Sequence, residues 1–262
     1  LGSVERVLKD RGIDVPLSVV RGDGSLVSSE WAKAHPIETI VSGPAASAIG
    51  AACLGKAQGI ERGSWVVDIG GTTTDIIYLD KNGDPAISAH GASVGSHRTL
   101  IKAIDIFTVG LGGDSRVRYD NKEDLFEIGP GRVKPLCSAV SEDPALKGCL
   151  KRPKKPGEPK EPIIITKNRT ASEDGVLESK LNEGLKNGIC SREALAEKGY
   201  LSRIYFSKLE EMQKKGLLDF AGFTPTDALH VLGKLDKWDR EASVAGAEII
   251  SGHISSAEKT AA

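Results

Sequence analysis

The stretch VVDIGGTTTDIIYL, residues 66 to 79, sets two carboxylates, Asp68 and Asp75, seven residues apart and fills the interval with glycine and threonine. Glycine tolerates positive φ and lets another group approach the main chain closely, so Gly70 and Gly71 can leave successive backbone N–H groups facing an anion. The hydroxyls of Thr72 and Thr73 add donors. Asp68 and Asp75 bring oxygen ligands for a hard cation such as Mg²⁺, held directly or through water. The chemistry suggested is the holding of a phosphate and its metal. The bland reading is a hairpin turn whose aspartates act as caps or turn formers, but a plain hairpin needs two residues of special geometry, not a run of two glycines and three threonines.

Other residues invite chemistry less sharply. GLGGDS, residues 110 to 115, is a second glycine loop, which could equally be a turn beside a strand pair. Ser42, Gly43 and Pro44 open a helix whose free N–H groups and positive dipole end could face an anion, or Ser42 could simply cap it. His97 and Arg98 are adjacent cations that could reach a substrate carboxylate or stay solvated. Thr224 to Asp227, TPTD, reads first as a helix cap. Cys53, Cys137, Cys149 and Cys190 lie far apart with no C-x-x-C pair, which argues for free thiols and against a zinc site or a disulfide framework.

The elements that must position these groups follow from periodicity. Trp65–Ile69 and Ile76–Leu79 are apolar β-runs around the glycine turn, and an Asn-Gly turn then leads to a third run, PAISAHGASVG (residues 85 to 95), which completes an expected three-strand meander over residues 63 to 94. Upstream, residues 1 to 12 read as an amphipathic helix, PLSVVRGDGSLVS as two strands about a Gly-Asp-Gly turn, and TIVSGPAASAIGAACLG as a small-residue helix capped by Ser42 and stopped by Gly55. Downstream of GLGGDS, Arg116–Tyr119 and Leu125–Ile128 form a hairpin. Composition changes at KRPKKPGEPKEP, so we expect an α/β lobe over 1–150, a Pro/Lys-rich linker or excursion over 151–175, a three-helix insert over 176–222 and helices returning to the lobe over 223–262.

Bulk composition narrows the class. The 262 residues are 39% hydrophobic and 27% charged, enough for a packed core. A net charge of −1 offers no field to draw nucleic acid or an anionic membrane surface. No apolar run reaches membrane-spanning length and LGSVERVLKDRG lacks a signal-peptide core, so the cytoplasm is the expected compartment. The outline of residues 176–222 is similar to a winged helix-turn-helix, yet Val176 to Gly222 holds eight Lys/Arg against seven Asp/Glu, little for neutralising phosphates, and partner docking suits it better.

Taken in order, TIVSGPAASAIGAACLG, VVDIGGTTTDI, VGLGGDS, IGP and FTPTDALHVLG resemble the hydantoinase A domain of the hydantoinase/oxoprolinase family, over most of residues 15 to 236. The resemblance implies an actin-like ATPase fold, a ribonuclease-H-like lobe with a small helical insert here, and an ATP-dependent hydrolase of cyclic amides, with relatives that carboxylate ketones. It implies that ATP activates a carbonyl oxygen by phosphoryl transfer, turning it into a leaving group. In that picture Asp68 holds Mg²⁺ through water, the N–H groups of Gly70, Gly71 and Thr72 cradle phosphate oxygens, Thr72 and Thr73 add hydroxyl donors, and Asp75 orients the loop or a water. Gly112 and Gly113 line the nucleoside, Asp114 or Ser115 meets a sugar hydroxyl, and Asp227 lies near the substrate.

Actin-like ATPases clamp nucleotide between two lobes, each with an aspartate-bearing hairpin, and only one such hairpin exists in this sequence. With Leu1 first and Met212 the lone methionine, we expect one lobe of an enzyme, completed by an N-terminal lobe or a partner subunit. The competing expectation is a non-catalytic actin-like switch or assembly module that binds nucleotide without chemistry.

Overall fold

A computed structural model describes residues 1–60, 63–88, 90–94, 97–120, 122–150, 161–167, 189–191, 209, 211–252 and 255–262. The chain divides into two compact units, Leu1–Val109 and Gly110–Ala262. That division cuts through the lobe expected over 1–150, directly after a strand that the sequence pattern does not reveal.

In the first unit, helix α1 (Gly2–Asp10) precedes the antiparallel pair β1 (Ser18–Val20) and β2 (Leu26–Ser28). No residue of α1 is buried, and Val4 and Val7 of its apolar stripe are exposed. Ser28 caps α2 (Ser29–Ala34) by accepting the Trp31 N–H at 3.2 Å, and a 3₁₀ turn (Pro36–Thr39) leads to α3 (Ser42–Ala57). The cap of α3 differs from expectation. Val41, in the left-handed region at φ 58°, occupies that position with no side-chain bond, Ser42 is already helical, and Gly55 lies inside the helix. Alanines at 45, 48 and 52 form the buried face of α3, and their small side chains let it lie close on Ile77, Leu79 and Ile104. Gly24, at φ +84°, is required in the preceding turn because a Cβ there would come within 2.9 Å of Ile49 on α3.

The main sheet of this unit has the order β3 (Ser64–Ile69), β4 (Thr74–Leu79), β7 (Phe107–Val109), all antiparallel. The first two strands are those read from the sequence. The third is not: residues 85–88 make only isolated bridges, Leu79 to Pro85 and Ile87 to Ile104. Residues 93 to 98 form a separate ribbon, β5 (Ser93–Val94) with β6 (His97–Arg98). Pro85 and Gly91 in PAISAHG break the ladder, and Phe107–Val109 takes the place beside β4. One sheet face turns Val66, Ile77 and Leu79 toward α3. The other leaves Trp65 68%, Ile69 71% and Phe107 67% exposed.

The second unit holds the hairpin β8 (Ser115–Asp120) with β9 (Leu125–Arg132) and a four-stranded sheet of order β10 (Lys134–Pro135), β13 (Leu218–Gly222), β11 (Ile164–Lys167), β12 (Ile189–Ser191). Strand β11 lies inside the expected excursion 151–175. Its residues explain why: Ile163 and Ile165 bury in one apolar cluster with Met212, Leu218 and Phe220, while Ile164 buries in another with Leu136, Phe223 and Ile250. A strand buried on both faces reads as a continuous apolar run and not as an alternation. Helices α4 (Leu136–Glu142), α5 (Pro225–Val231), α6 (Arg240–Ser251) and α7 (Ala257–Ala261) build the rest of that core. The C-terminal helices therefore pack with residues 115–150 of their own unit. Leu218–Gly222, expected within a helical insert, is strand β13, and the three expected helices otherwise fall largely outside the described residues.

Candidate functional site

The β3–β4 turn, residues 70 to 73, is exposed at Gly70, Gly71 and Thr72. The Gly70 N–H donates to the Thr73 carbonyl at 2.9 Å and closes the turn. The expected cradle therefore loses Gly70 as a donor, while the Gly71 and Thr72 amides have no protein acceptor among the described residues. Two consecutive open amides in an exposed bend are the elements of an anion nest.

Asp68 and Asp75 stand directly opposite each other in the antiparallel pair and share the inner face of the sheet. Their environments differ. Asp75 is 8% exposed; its Oδ1 accepts the Thr108 hydroxyl at 2.5 Å and its Oδ2 the Thr73 hydroxyl at 3.4 Å. Asp68 is half-buried and has no hydrogen-bond or ion-pair partner among the described residues. Like charges directly opposite one another on a sheet repel, so this pair works against the stability of the hairpin unless a cation or donors compensate. Among the described residues no group of three or more His, Cys, Asp or Glu gathers as a metal cage. A divalent ion at Asp68 would thus share its ligands with water and phosphate, which is the manner in which Mg²⁺ is usually held. The open amides and the unpartnered carboxylate fit such a group.

Helix α3 packs on the inner face of the same hairpin. A cleft between Ala51, Ala52 and Gly55 on one side and Ser64, Val66 and Leu79 on the other places the C-terminal half of the helix at the Ser64 end of the hairpin. Ser42, half-buried, and Gly43, exposed, lie in the first turn of α3. His97 and Arg98 lie exposed on the β5–β6 ribbon of the same unit.

The remaining expected residues belong to the second unit. In GLGGDS, Ser115 is fully buried: its Oγ accepts the Gly112 N–H at 2.9 Å and its N–H donates to the Gly112 carbonyl at 3.0 Å. Ser115 closes its own loop, and its hydroxyl does not reach solvent for a sugar. The Gly113 carbonyl accepts from both the N–H (3.1 Å) and hydroxyl (2.8 Å) of Thr226. Asp114 stays accessible, paired with Arg132 at 3.1 Å, on the wall of a cleft of about 510 Å³ with Lys134, Ser138, Asp219 and Trp238.

Asp227 is enclosed and cannot meet a substrate. Its side chain has no exposed surface, and it completes a capping box with Thr224 at the start of α5. Its oxygens also accept the N–H groups of Leu136 (3.1 Å) and Cys137 (2.9 Å) at the start of α4 and the hydroxyl of Ser243 on α6 (2.7 Å). One carboxylate thus ties three helices. Burial pushes its carboxyl up from the ordinary range, against the pull of the bonds from Cys137, Ser243 and Leu136. The TPTD motif fastens the GLGGDS loop through Thr226 and the helical core through Asp227. The residue that sequence reasoning missed is Thr108, whose partner Asp75 lies 33 positions away, beyond the reach of any local pattern.

Comparison with known proteins adds the following. The family model for hydantoinase/oxoprolinase matches residues 1–248. The acetone carboxylase beta subunit of Xanthobacter autotrophicus is 28% identical over 130 residues, which cover 50% of this chain and 17% of that subunit. A nucleotide-free structure of acetone carboxylase, determined in connection with the mechanism of ATP-dependent acetone carboxylation, superposes with a TM-score of 0.61 at 19% identity, over 100% of this chain and 27% of the other. The chain therefore spans less than a third of the length of these relatives.

Proposed function

Because the chain belongs to the hydantoinase/oxoprolinase family, we propose that it supplies a phosphate-binding lobe, of the actin-like and ribonuclease-H-like kind, to an ATP-dependent cytoplasmic enzyme acting on the carbonyl of a cyclic amide or a related compound. The observation that carries this reading is the β3–β4 turn, where two open amides stand beside an unpartnered carboxylate. When bound, ATP supplies a phosphoryl group that turns a carbonyl oxygen into a leaving group.

The chain's own residues would act by position and charge. Gly71 and Thr72 donate main-chain N–H groups to phosphate oxygens, the Thr72 hydroxyl adds a donor, and Asp68 holds Mg²⁺ through water. Asp75 keeps the Thr73 hydroxyl and so fixes the bend. The Ser42–Gly43 end of α3 adds the positive end of a helix dipole for an anion. His97 with Arg98 takes a substrate carboxylate. Since the chain covers 17% and 27% of its relatives, an N-terminal lobe or a partner subunit is part of the proposal.

Calorimetric titration of the full chain with Mg-ATP tests it. Asp68→Ala should weaken binding at least about tenfold, as loss of a supported metal ligand does; equal binding by both proteins would refute the site. A phosphate-release screen with hydantoin, 5-oxoproline and acetone plus bicarbonate, run with the completed enzyme, then identifies the substrate class. Binding without stimulated release would favour a nucleotide switch.

A further inference from the structure

We propose that Thr108 is a positioning residue that divides the labour between the two hairpin aspartates, holding Asp75 so that Asp68 alone meets the cation. This rests on the reading of the turn as a phosphate site. The asymmetry comes from sheet order. Asp75 is on the central strand β4 and has a neighbour on each side, Asp68 across β3 and Thr108 across β7. Asp68 is on β3, which among the described residues is an edge strand with no further strand to bring a hydroxyl. Two carboxylates that would otherwise be equivalent are thereby separated into one with occupied oxygens and one with open lone pairs.

The Thr108 hydroxyl donates to Asp75 Oδ1 at 2.5 Å, the shorter of the two bonds that this side chain accepts. The second oxygen of Asp75 takes the Thr73 hydroxyl at 3.4 Å, inside the turn itself. Thr108 thus acts on the bend through Asp75 and Thr73, and the bend is what leaves the Gly71 and Thr72 amides open. Without the Thr108 hydroxyl, Asp75 loses its shorter bond while remaining buried opposite Asp68. It must then turn toward the cation or pull the turn inward, and either movement spoils the fit of a polyphosphate with its metal.

The test compares the full chain with Thr108→Val, which keeps the strand shape, and Thr108→Ser, which keeps the hydroxyl. Two readouts are followed: the Kd for Mg-ATP by calorimetry, and the ligand-free proton–nitrogen correlation signals of Gly71 and Thr72. Thr108→Val should weaken Mg-ATP at least about tenfold, in the range seen when an outer-shell partner is removed. It should also shift both amide signals, and Thr108→Ser should restore affinity and signals together. A valine variant that binds like the parent, or that leaves the amides unmoved, overturns the proposal. If the parent itself fails to bind Mg-ATP, the phosphate reading falls, and the ligand-free signals still decide whether Thr108 governs the turn. Should the valine variant not fold, Thr108→Ala is read in the same way.

Discussion

Cys137 and Cys53 are the same chemical group placed in opposite surroundings. Cys53 is exposed on α3, whereas Cys137 is buried at the start of α4. Burial, followed by the neighbouring charge of Asp227, pushes the Cys137 thiol up from 9.0 to about 12. Because the thiolate is the nucleophile, iodoacetamide at about pH 8 should label Cys53 in the native protein and spare Cys137, read by mass spectrometry of the labelled peptides. The sign for stability follows from proton linkage. Between 9.0 and about 12 the folded chain keeps a proton that the unfolded chain has lost, so the contribution of Cys137 is constant below that window and falls as pH rises through it. Cys137→Ala should accordingly flatten the alkaline decline of the unfolding midpoint. Spacing in the sequence separated these thiols from metal and disulfide roles, but it carries no information on burial. The same limit hid the enclosure of Asp227, although TPTD announced its capping role, because the amides and the hydroxyl it accepts from lie about 90 positions before it and 16 after it.

Elements were legible where their signal is local. The β3–β4 hairpin shows in its apolar runs and glycine turn, and the small-residue helix α3 in its composition; the strand that joins β4 is hidden, because Phe107–Val109 pairs across an intervening ribbon and no local pattern encodes that closure. Strand β11 was hidden for a different reason, its burial on both faces. Helix α6 shows a packing constraint that sequence propensity would misjudge. Gly246 sits in mid-helix, where alanine is preferred by about 1 kcal/mol on intrinsic grounds. A Cβ there would overlap Leu136 Cδ1 and stand 3.0 Å from Phe223 Cδ2, both in the core. Overpacking of a closed core costs about 1–3 kcal/mol, which exceeds the propensity gain. Gly246→Ala should therefore destabilise the second unit, as a lower denaturation midpoint with the slope of the transition unchanged. A stabilised variant would show that α6 is free to move away from α4.

At the scale of the whole molecule, the boundary after Val109 separates two cores, and this arrangement was not visible in composition because the shift at residue 151 is more abrupt than anything near 109. The first unit buries Ala45, Ala48, Ala52, Ile77, Leu79 and Ile104 about α3 and the hairpin. The second buries larger clusters about Leu136, Ile164 and Ile250 and about Ile165, Met212 and Phe220. None of these clusters draws members from both units. A domain with its own core unfolds as its own cooperative step, so two-state behaviour should hold for each unit and not for the chain. The candidate phosphate turn then depends on the smaller core, and its integrity can be lost while the larger unit stays folded. Ile77→Ala and Leu136→Ala, each removing a fully buried side chain, should each cost about 2–5 kcal/mol. Calorimetry of the intact chain should show Ile77→Ala lowering one transition and Leu136→Ala the other. Ile77→Ala should also abolish any Mg-ATP binding at the temperature where its own unit melts, with the second transition unmoved. A single transition displaced by both substitutions would mean that the two cores melt as one and that the hairpin draws on the whole chain for its stability.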